Sequence, residues 1–347
     1  MRSLILPVAG KSSRFPNLKP KWLSTHPSGS LMITESIKGL NLDFFDCVYL
    51  VCLREHESKY KFSKGIKKEF SKLNIKKFKI TYLNKPTDSQ PETIFKAIIR
   101  EKIKGFFCSK DCDNYFEVTV PEDNFVSTSN LNDHSLLNPC NKSYVSCDEN
   151  LNINNIVEKQ VISSDFCTGC YGFKEAREFA KYYKKIKHYE DLYVSHVIYK
   201  MILEGENFKT KETCNFVDWG TIKDWNSFKS NYKCIFIDLD GTLVKNSAQH
   251  FPPYWGETKG LEENIKKINE LYDSGKSQII ITTSRKKESK EKTLKQLKKL
   301  KIKYHRIIFD LLHCKRYIIN DYANSNPYPS CEAINIKRND SNLGDLF

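Results

Sequence analysis

The sequence predicts an α/β protein of two three-layer αβα domains, each built on a mostly parallel sheet. Three observations predict it. Short apolar runs of strand length alternate with longer amphipathic runs of helical spacing, first over residues 3–116 and again over 233–321. Several of the apolar runs end in glycine or a carboxylate, as a buried parallel strand does when it delivers polar groups to its C-terminal edge. At 347 residues the chain is long enough for two hydrophobic cores.

Composition narrows the partners. A hydrophobic content of 39% with 28% charged residues fits a soluble globular protein. The net charge of +14 points to an anionic partner. That excess divides evenly before and after Tyr232, so it is not a basic tail. A Lys-, Asn- and Ile-rich composition over a solvated surface is its bland source. Among partners, phosphorylated small molecules come ahead of nucleic acid, because no aromatic and glycine spacing of an RNA or DNA reader is present. The chain opens as a strand rather than as a leader, so its 12 cysteines are expected to be reduced thiols of a cytoplasmic protein. No apolar run reaches the ~18–20 residues that span a bilayer, and no membrane insertion is expected. Cys167 and Cys170 have the C-x-x-C spacing, but a zinc site needs a second pair and the sequence has none. No internal repeat is visible, and the sequence is compatible with a homo-oligomer.

The first half reads in order. Ser3 to Val8 is a strand that empties into Ala9-Gly10-Lys11-Ser12-Ser13-Arg14. Gly10 lets backbone approach a ligand, Ser12 and Ser13 can donate to phosphate oxygens, and Arg14 adds a bidentate charge. Lys21 follows in Lys-Pro-Lys, at a distance that can fold back over the same ligand. Residues 31–40 have helical spacing, 47–53 form a buried strand, and 60–70 a basic helix. Residues 78–83 are the third strand. The polar turn 84–93, with Gln90 and Glu92, enters a helix over 94–102 that Thr93 or Glu92 can cap. The apolar run from Gly105 empties into Asp111-Cys112-Asp113, two carboxylates that can hold one hard cation and, through it, a polyphosphate. Residues 121–147 read as loop and short strands. Glu158-Lys159 precedes the run 167–173 with Gly169. Helices follow over 175–186 and 189–204, and Asp218 ends another strand ahead of Gly220 and Thr221. This alternation makes the sheet Rossmann-like.

This ordered set resembles the nucleoside-triphosphate transferases that act on sugar phosphates and related alcohol phosphates, over nearly all of residues 1 to about 225. Arg14 and Lys21 match the two basic positions of their phosphate loop, in which Gly10, Ser12 and Ser13 also lie. Ser12 and Ser13 replace the usual Gly-Thr. Asp111 and Asp113 match the first metal motif and Asp218 the second. Glu158 and Lys159 match the pair that meets the acceptor, and Gly169 the strand that follows. Gln90 and Glu92 lie where such enzymes read the base. The resemblance implies a GT-A-like domain over residues 1–229. It implies Mg²⁺, a pyrimidine triphosphate (CTP or UTP) as favoured donor, and a phosphorylated small molecule as acceptor.

Residues 226–232 are a short polar joint. The second half, 233–347, opens on Lys-Cys-Ile-Phe-Ile-Asp-Leu-Asp-Gly-Thr, a buried strand delivering Asp238 and Asp240. A helix follows over about 261–274. The β-branched strand 277–283 ends in Thr283-Ser-Arg285, and 286–303 is a basic amphipathic helix. Strands follow over 307–310 and 317–321, with Lys315 between them. These motifs resemble the haloacid-dehalogenase superfamily of phosphotransferases. The resemblance implies Asp238 as nucleophile, Asp240 as general acid/base, Thr283 and Lys315 as phosphate-binding motifs, and Asp321 as a metal ligand. A second Mg²⁺ would be held with Asp238 and Asp240. A carboxylate attacks phosphorus only when cations screen the repulsion between two anions. Asp240 and Thr283 are too close in sequence for a large cap, so an open site is expected.

The combined expectation is a bifunctional enzyme, a nucleotidyltransferase fused to a phosphatase, making a precursor for capsule or another surface glycan. A glycosyltransferase is the first rival, because that class also places Asp-x-Asp at a strand end; it would make no pyrophosphate. A catalytically dead nucleotide-binding module is the second, and it would bind no metal. A nonspecific nucleic-acid binder is the third, and moderate salt would release it from DNA.

Overall fold

The computed structural model of the chain describes residues 1–10, 15, 19–134, 137–321 and 330–347. The chain forms two compact units, Met1–Asn226 and Ser227–Phe347.

The first unit is organised by a nine-stranded sheet. Four parallel strands form its centre: β1 (Ser3–Val8), β2 (Cys47–Leu53), β3 (Phe78–Leu83) and β4 (Phe107–Lys110), in the order β3-β2-β1-β4. The apolar runs set this up, since β2 is buried at all seven positions and β1 at its first four. Alternate side chains feed two cores. Ile5, Tyr49, Val51 and Phe107 face one, and Leu4, Leu6, Val48, Leu50 and Cys108 the other. Helices α1 (Met32–Ile37), α2 (Arg54–Tyr60), α3 (Ser63–Phe70) and α4 (Gln90–Glu101) connect these strands. Ile33, Ile37, Ile66 and Phe70 cover one face, and Ile94, Ala97 and Ile98 of α4 cover the other.

Two local expectations change. The basic helix expected over 60–70 begins only at Ser63, because Lys61 takes a left-handed conformation (φ 48°) that ends a separate preceding helix, α2. Helix α4 begins four residues earlier than its apolar stripe, because Ser89 is its cap: the Ser89 hydroxyl accepts from Glu92 N at 3.3 Å. Glu92 returns a bond from Asp88 N at 2.8 Å and pairs with Lys96, so its carboxylate is engaged at the helix start.

Beyond β4 the sheet turns antiparallel. Strands β5 (Asn114–Glu117), β6 (Phe125–Asn130), β7 (Ser143–Cys147), β8 (Ile153–Glu158) and β9 (Asp165–Phe173) follow. β9 runs antiparallel between β4 and β6, and β7 pairs with both β8 and β9. Helices α5 (Ala176–Ile186) and α6 (Val194–Leu203) join α4 over the same core. Strand β10 (Lys209–Glu212) extends the edge beside β6, and β11 (Cys214–Asp218) pairs with β5 as a separate ribbon. Cys167 and Cys170 enter opposite cores, so the C-x-x-C spacing lies across one strand. All twelve cysteines are free thiols.

The boundary to the second unit falls inside α7 (Ile222–Ser230), a helix where the sequence predicted a polar joint. Its sheet has three parallel strands in the order β12 (Lys233–Asp238), β13 (Ser277–Thr282) and β14 (Arg306–Ile308). Helices α8 (Glu262–Asp273) and α9 (Lys290–Lys299) pack Ile265, Ile268 and Leu297 against Ile237, Ile279 and Ile281 on one face. The other face is open at Phe236, which is 52% exposed, where the sequence predicted a fully buried strand. The strand expected over 317–321 is not formed. That segment is irregular, and Tyr317, Ile318 and Ile319 are exposed, because among the described residues no strand or covering helix receives them. No helix among the described residues is long and apolar enough to cross a membrane.

Candidate active site

Strands β1 and β4 lie side by side where the strand order reverses, the position at which open α/β sheets bind ligands beyond their C-terminal edge. Gly10 lies exposed just past β1, and Asp111 follows β4 directly. Ser12, Ser13 and Arg14 lie outside the described residues.

Strand pairing gathers the carboxylates. The chain turns at Asp111–Asp113 and resumes as β5, which pairs antiparallel with β11 so that Asn114 stands opposite Asp218. Trp219 N donates to Asp113 O at 2.9 Å, locking that register. A Cβ built on Gly220 would lie 3.0 Å from Asp218 Oδ1 and 3.7 Å from Asp113 Oδ2, so both carboxylates crowd over this glycine. Gly220 N donates to Asp218 Oδ1 at 3.0 Å. Asp111 is placed by a different device. Its N–H donates to Gly169 O at 2.7 Å, and Gly169 lies at φ 95° in a bulged stretch of β9. A Cβ there would come within 2.4 Å of Asp111 Oδ2, so Gly169 makes room for the carboxylate.

Each carboxylate has a neighbour that offsets its charge or takes its hydrogen bond. Lys21 pairs with Asp113. Lys142 pairs with Asp218 at 2.6 Å. The Gln90 amide donates to Asp111 Oδ1. Behind them Lys110, fully buried, donates to Asp111 O at 2.6 Å and to the Asn114 side chain, and lies 4.3 Å over the Phe116 ring. Lys110 thus ties the turn from inside. Burial pushes its ammonium below the ordinary lysine range. Burial, reinforced by the charge of Asp113, pushes Asp111 up to about 6. Neither Lys110 nor Lys142 stands out in a lysine-rich sequence; the signal for Lys110 was a lone cation inside an apolar run.

These oxygens fit a hard divalent cation. Mg²⁺ is held by one or two carboxylates with substrate phosphates completing its shell, and Asp113 and Asp218 form such a pair, already attracting the ammonium groups of Lys21 and Lys142. Among the described residues no group of three His, Cys, Asp or Glu side chains is arranged around one point.

The residues expected at the acceptor end lie on the β7–β8 hairpin. Glu158 accepts from Ser143 Oγ and, at 2.9 Å, from Ser195 Oγ. Lys159 takes a left-handed conformation (φ 58°) and lays its ammonium 4.6 Å from the centre of the Tyr193 ring, bonded to the Tyr193 hydroxyl. That hydrogen bond holds its pKa above the ordinary value.

In the second unit Asp238 ends β12, and Leu239 N donates to Thr282 O at 3.2 Å, which sets Asp240 beside Thr283. Asp240 is gripped by Arg285, whose side chain is fully buried: Nε reaches Oδ2 at 2.8 Å and Nη2 reaches Oδ1 at 2.8 Å. Arg285 Nη1 bonds Thr293 and Gln296, and Ser247 Oγ donates to Asp240 Oδ1 at 2.6 Å. Asp238 meets Arg316 at 2.9 Å. Burial pushes its carboxyl above the ordinary range, against the pull of Arg316. Lys315 turns over the Tyr317 ring, and Asp321 lies in the exposed irregular segment. This arrangement does not fit a metal held by the side chains of Asp238, Asp240 and Asp321, because Arg285 takes both oxygens of Asp240 and Asp321 is not brought up on a strand.

No protein-family model matches the chain, and no curated protein matches it. Solved structures do. A nucleoside-diphosphate-sugar pyrophosphorylase from Vibrio cholerae RC9 aligns at 17% identity, covering 65% of this chain and 98% of that one, with a TM-score of 0.55. A UDP-glucose pyrophosphorylase complexed with UDP-glucose aligns at 11% identity over 66% of this chain and 99% of that one, with a TM-score of 0.51. The covered share is the size of the first unit, and over that share the chain has the α/β fold of these pyrophosphorylases.

Proposed function

We propose that the first unit transfers a nucleotidyl group from a nucleoside triphosphate, with a pyrimidine favoured, to a phosphorylated sugar, polyol or amino alcohol. The observation that carries this reading is the pair Asp113 and Asp218 over Gly220, with a lysine on each. The likeness to pyrophosphorylase folds supports it. An acceptor phosphate oxygen attacks the α-phosphorus in line, the bond to the bridging oxygen breaks, and pyrophosphate leaves with that oxygen. Positioning and charge neutralisation supply most of the rate. A bound Mg²⁺ would neutralise phosphate charge between Asp113 and Asp218, with Asp111 alongside. Lys21 and Arg14 would hold the departing pyrophosphate. Gly10, Ser12 and Ser13 would cradle the triphosphate, and Gln90 and Glu92 would border the base. Glu158, Lys159 and Gly169 would line the acceptor end.

For the second unit we propose phosphomonoester hydrolysis through Asp238, supported by its place at a strand end beside Arg316 and opposite Thr282. The unit would act on the same class of phosphorylated metabolite, in surface-glycan precursor synthesis.

The test is release of pyrophosphate from each triphosphate with Mg²⁺ and a panel of acceptor phosphates. Asp218→Asn should abolish it and spare phosphate release, while Asp238→Asn should do the reverse. No pyrophosphate with any triphosphate would refute the first activity. Loss of both activities in either variant would refute separate sites.

A further inference from the structure

We infer that Lys142 binds the phosphate of the acceptor, and that its ion pair with Asp218 is the resting contact of a side chain that turns to substrate. The inference rests on the nucleotidyl-transfer reading of the first unit. Lys142 immediately precedes β7, where Ser143 stands opposite Glu158, and Lys159 N donates to Lys142 O at 2.9 Å. One hairpin therefore fixes Lys142 together with Glu158 and Lys159. The Lys142 side chain is 13% exposed, its ammonium 2.6 Å from Asp218 and 5.2 Å from the centre of the Phe216 ring. Phe216 and Asp218 both lie on β11, and the Lys142 side chain meets both. Lys142 thus spans from the acceptor hairpin to the carboxylate pair.

Its counterpart reaches the same pair from another element. Lys21, at the start of the short helical turn Lys21–Leu23, holds Asp113. When a divalent cation takes the two carboxylates, each ammonium loses an anion while staying partly desolvated, which is costly unless another anion arrives. The reaction brings two, a triphosphate and an acceptor phosphate. Lys21 follows the expected triphosphate-binding residues in sequence, whereas Lys142 shares a hairpin with Glu158 and Lys159, so the acceptor phosphate is assigned to Lys142. A lysine can make this exchange because its three donors rotate on a flexible stem.

The test is calorimetry on the full chain with MgCl₂. Pyrophosphate probes the triphosphate side, and inorganic phosphate titrated into pyrophosphate-saturated protein probes the acceptor side. Lys142→Met should weaken inorganic phosphate by roughly tenfold or more, the scale of one charge-assisted bond, and leave pyrophosphate within about threefold. Lys21→Met should do the opposite. Lys142→Arg should keep most phosphate affinity, and Lys142→Gln should reproduce the loss if the methionine variant does not fold. Unchanged phosphate affinity in Lys142→Met, or equal loss for both probes, would overturn the inference while the reading beneath it stands. Failure of the unaltered protein to bind pyrophosphate with Mg²⁺ would overturn both.

Discussion

In the first unit Asp113 and Asp218 are held by lysines, whereas in the second unit Asp240 is clasped by two nitrogens along one edge of a buried guanidinium. The two cations differ in what they permit. An ammonium on a flexible stem yields its carboxylate to a competing cation at modest cost. A planar guanidinium with two parallel bonds, itself anchored by Thr293 and Gln296, fixes the carboxylate in one orientation. The contrast assigns exchange to the first unit and rigidity to the second. In the second unit, Asp238 with its half-exposed partner Arg316 is the less constrained of the two acids.

The sharpest way to break that contrast is Arg285→Met. Asp240 would keep a charge in a half-buried place with its main partner gone, and breaking a buried pair costs about 3–5 kcal/mol. The loss should fall on the second unit, read as lost hydrogen-exchange protection in β12 and β13, with pyrophosphate release intact. Arg285→Met with Asp240→Leu should recover much of it. A loss below about 1 kcal/mol would make the pair no stronger than a surface bridge, and the contrast would fail.

Gly169→Ala tests the first unit at comparable depth. A methyl group would enter at 2.4 Å from Asp111 Oδ2, on a backbone at φ 95°. The cost in stability should be about 2 kcal/mol. Displacing Asp111 should cut pyrophosphate release more than about tenfold, because small misplacements at a reacting centre are expensive. A variant with normal turnover would show that Asp111 is not needed in place.

How much of this was legible in the residues follows the same division. Strands β1 to β4 were legible because apolar runs of strand length break off at small or polar residues, and Asp111 was legible directly after the fourth. Asp218 was legible as a strand end. Its pairing opposite Asn114 was not, since register between distant strands leaves no local trace. Lys142 resembles the many solvated lysines until the hairpin places it. Ser89 was passed over as a cap because the apolar stripe of α4 starts later. Tyr317–Asp321 has strand composition, yet composition cannot supply a neighbour. Arg285 was read as the end of a motif, and its grip on Asp240 depends on Thr293 and Gln296, whose partners sequence does not reveal.

Asp111→Asn should sharpen the contrast with a gain. Its carboxyl is pushed up to about 6 against an ordinary 3.8, so the ionised form strains the metal-free fold. The strain is absent below the unfolded value, grows as pH rises through the interval, and is complete above about 6. The asparagine should therefore stabilise metal-free protein at pH 7 by on the order of 1 kcal/mol, about 2–4 °C, and the advantage should vanish near pH 4. Differential scanning calorimetry across that range decides it. A gain that persists in acid would assign the effect to something other than charge.

Ser89→Ala is the smallest change and separates local from long-range positioning. Losing the cap should cost about 1 kcal/mol, or about 2–4 °C in melting. Gln90, the next residue, donates to Asp111 and could transmit the loosening to the site. Asp111 is also held by its bond to Gly169 and by Lys110, and Asp218 by the β5–β11 ladder, none of which passes through α4. Affinity for pyrophosphate with Mg²⁺ should therefore stay within about threefold. A larger loss would mean that the helix start, through Gln90, sets the site as firmly as the strand pairing does.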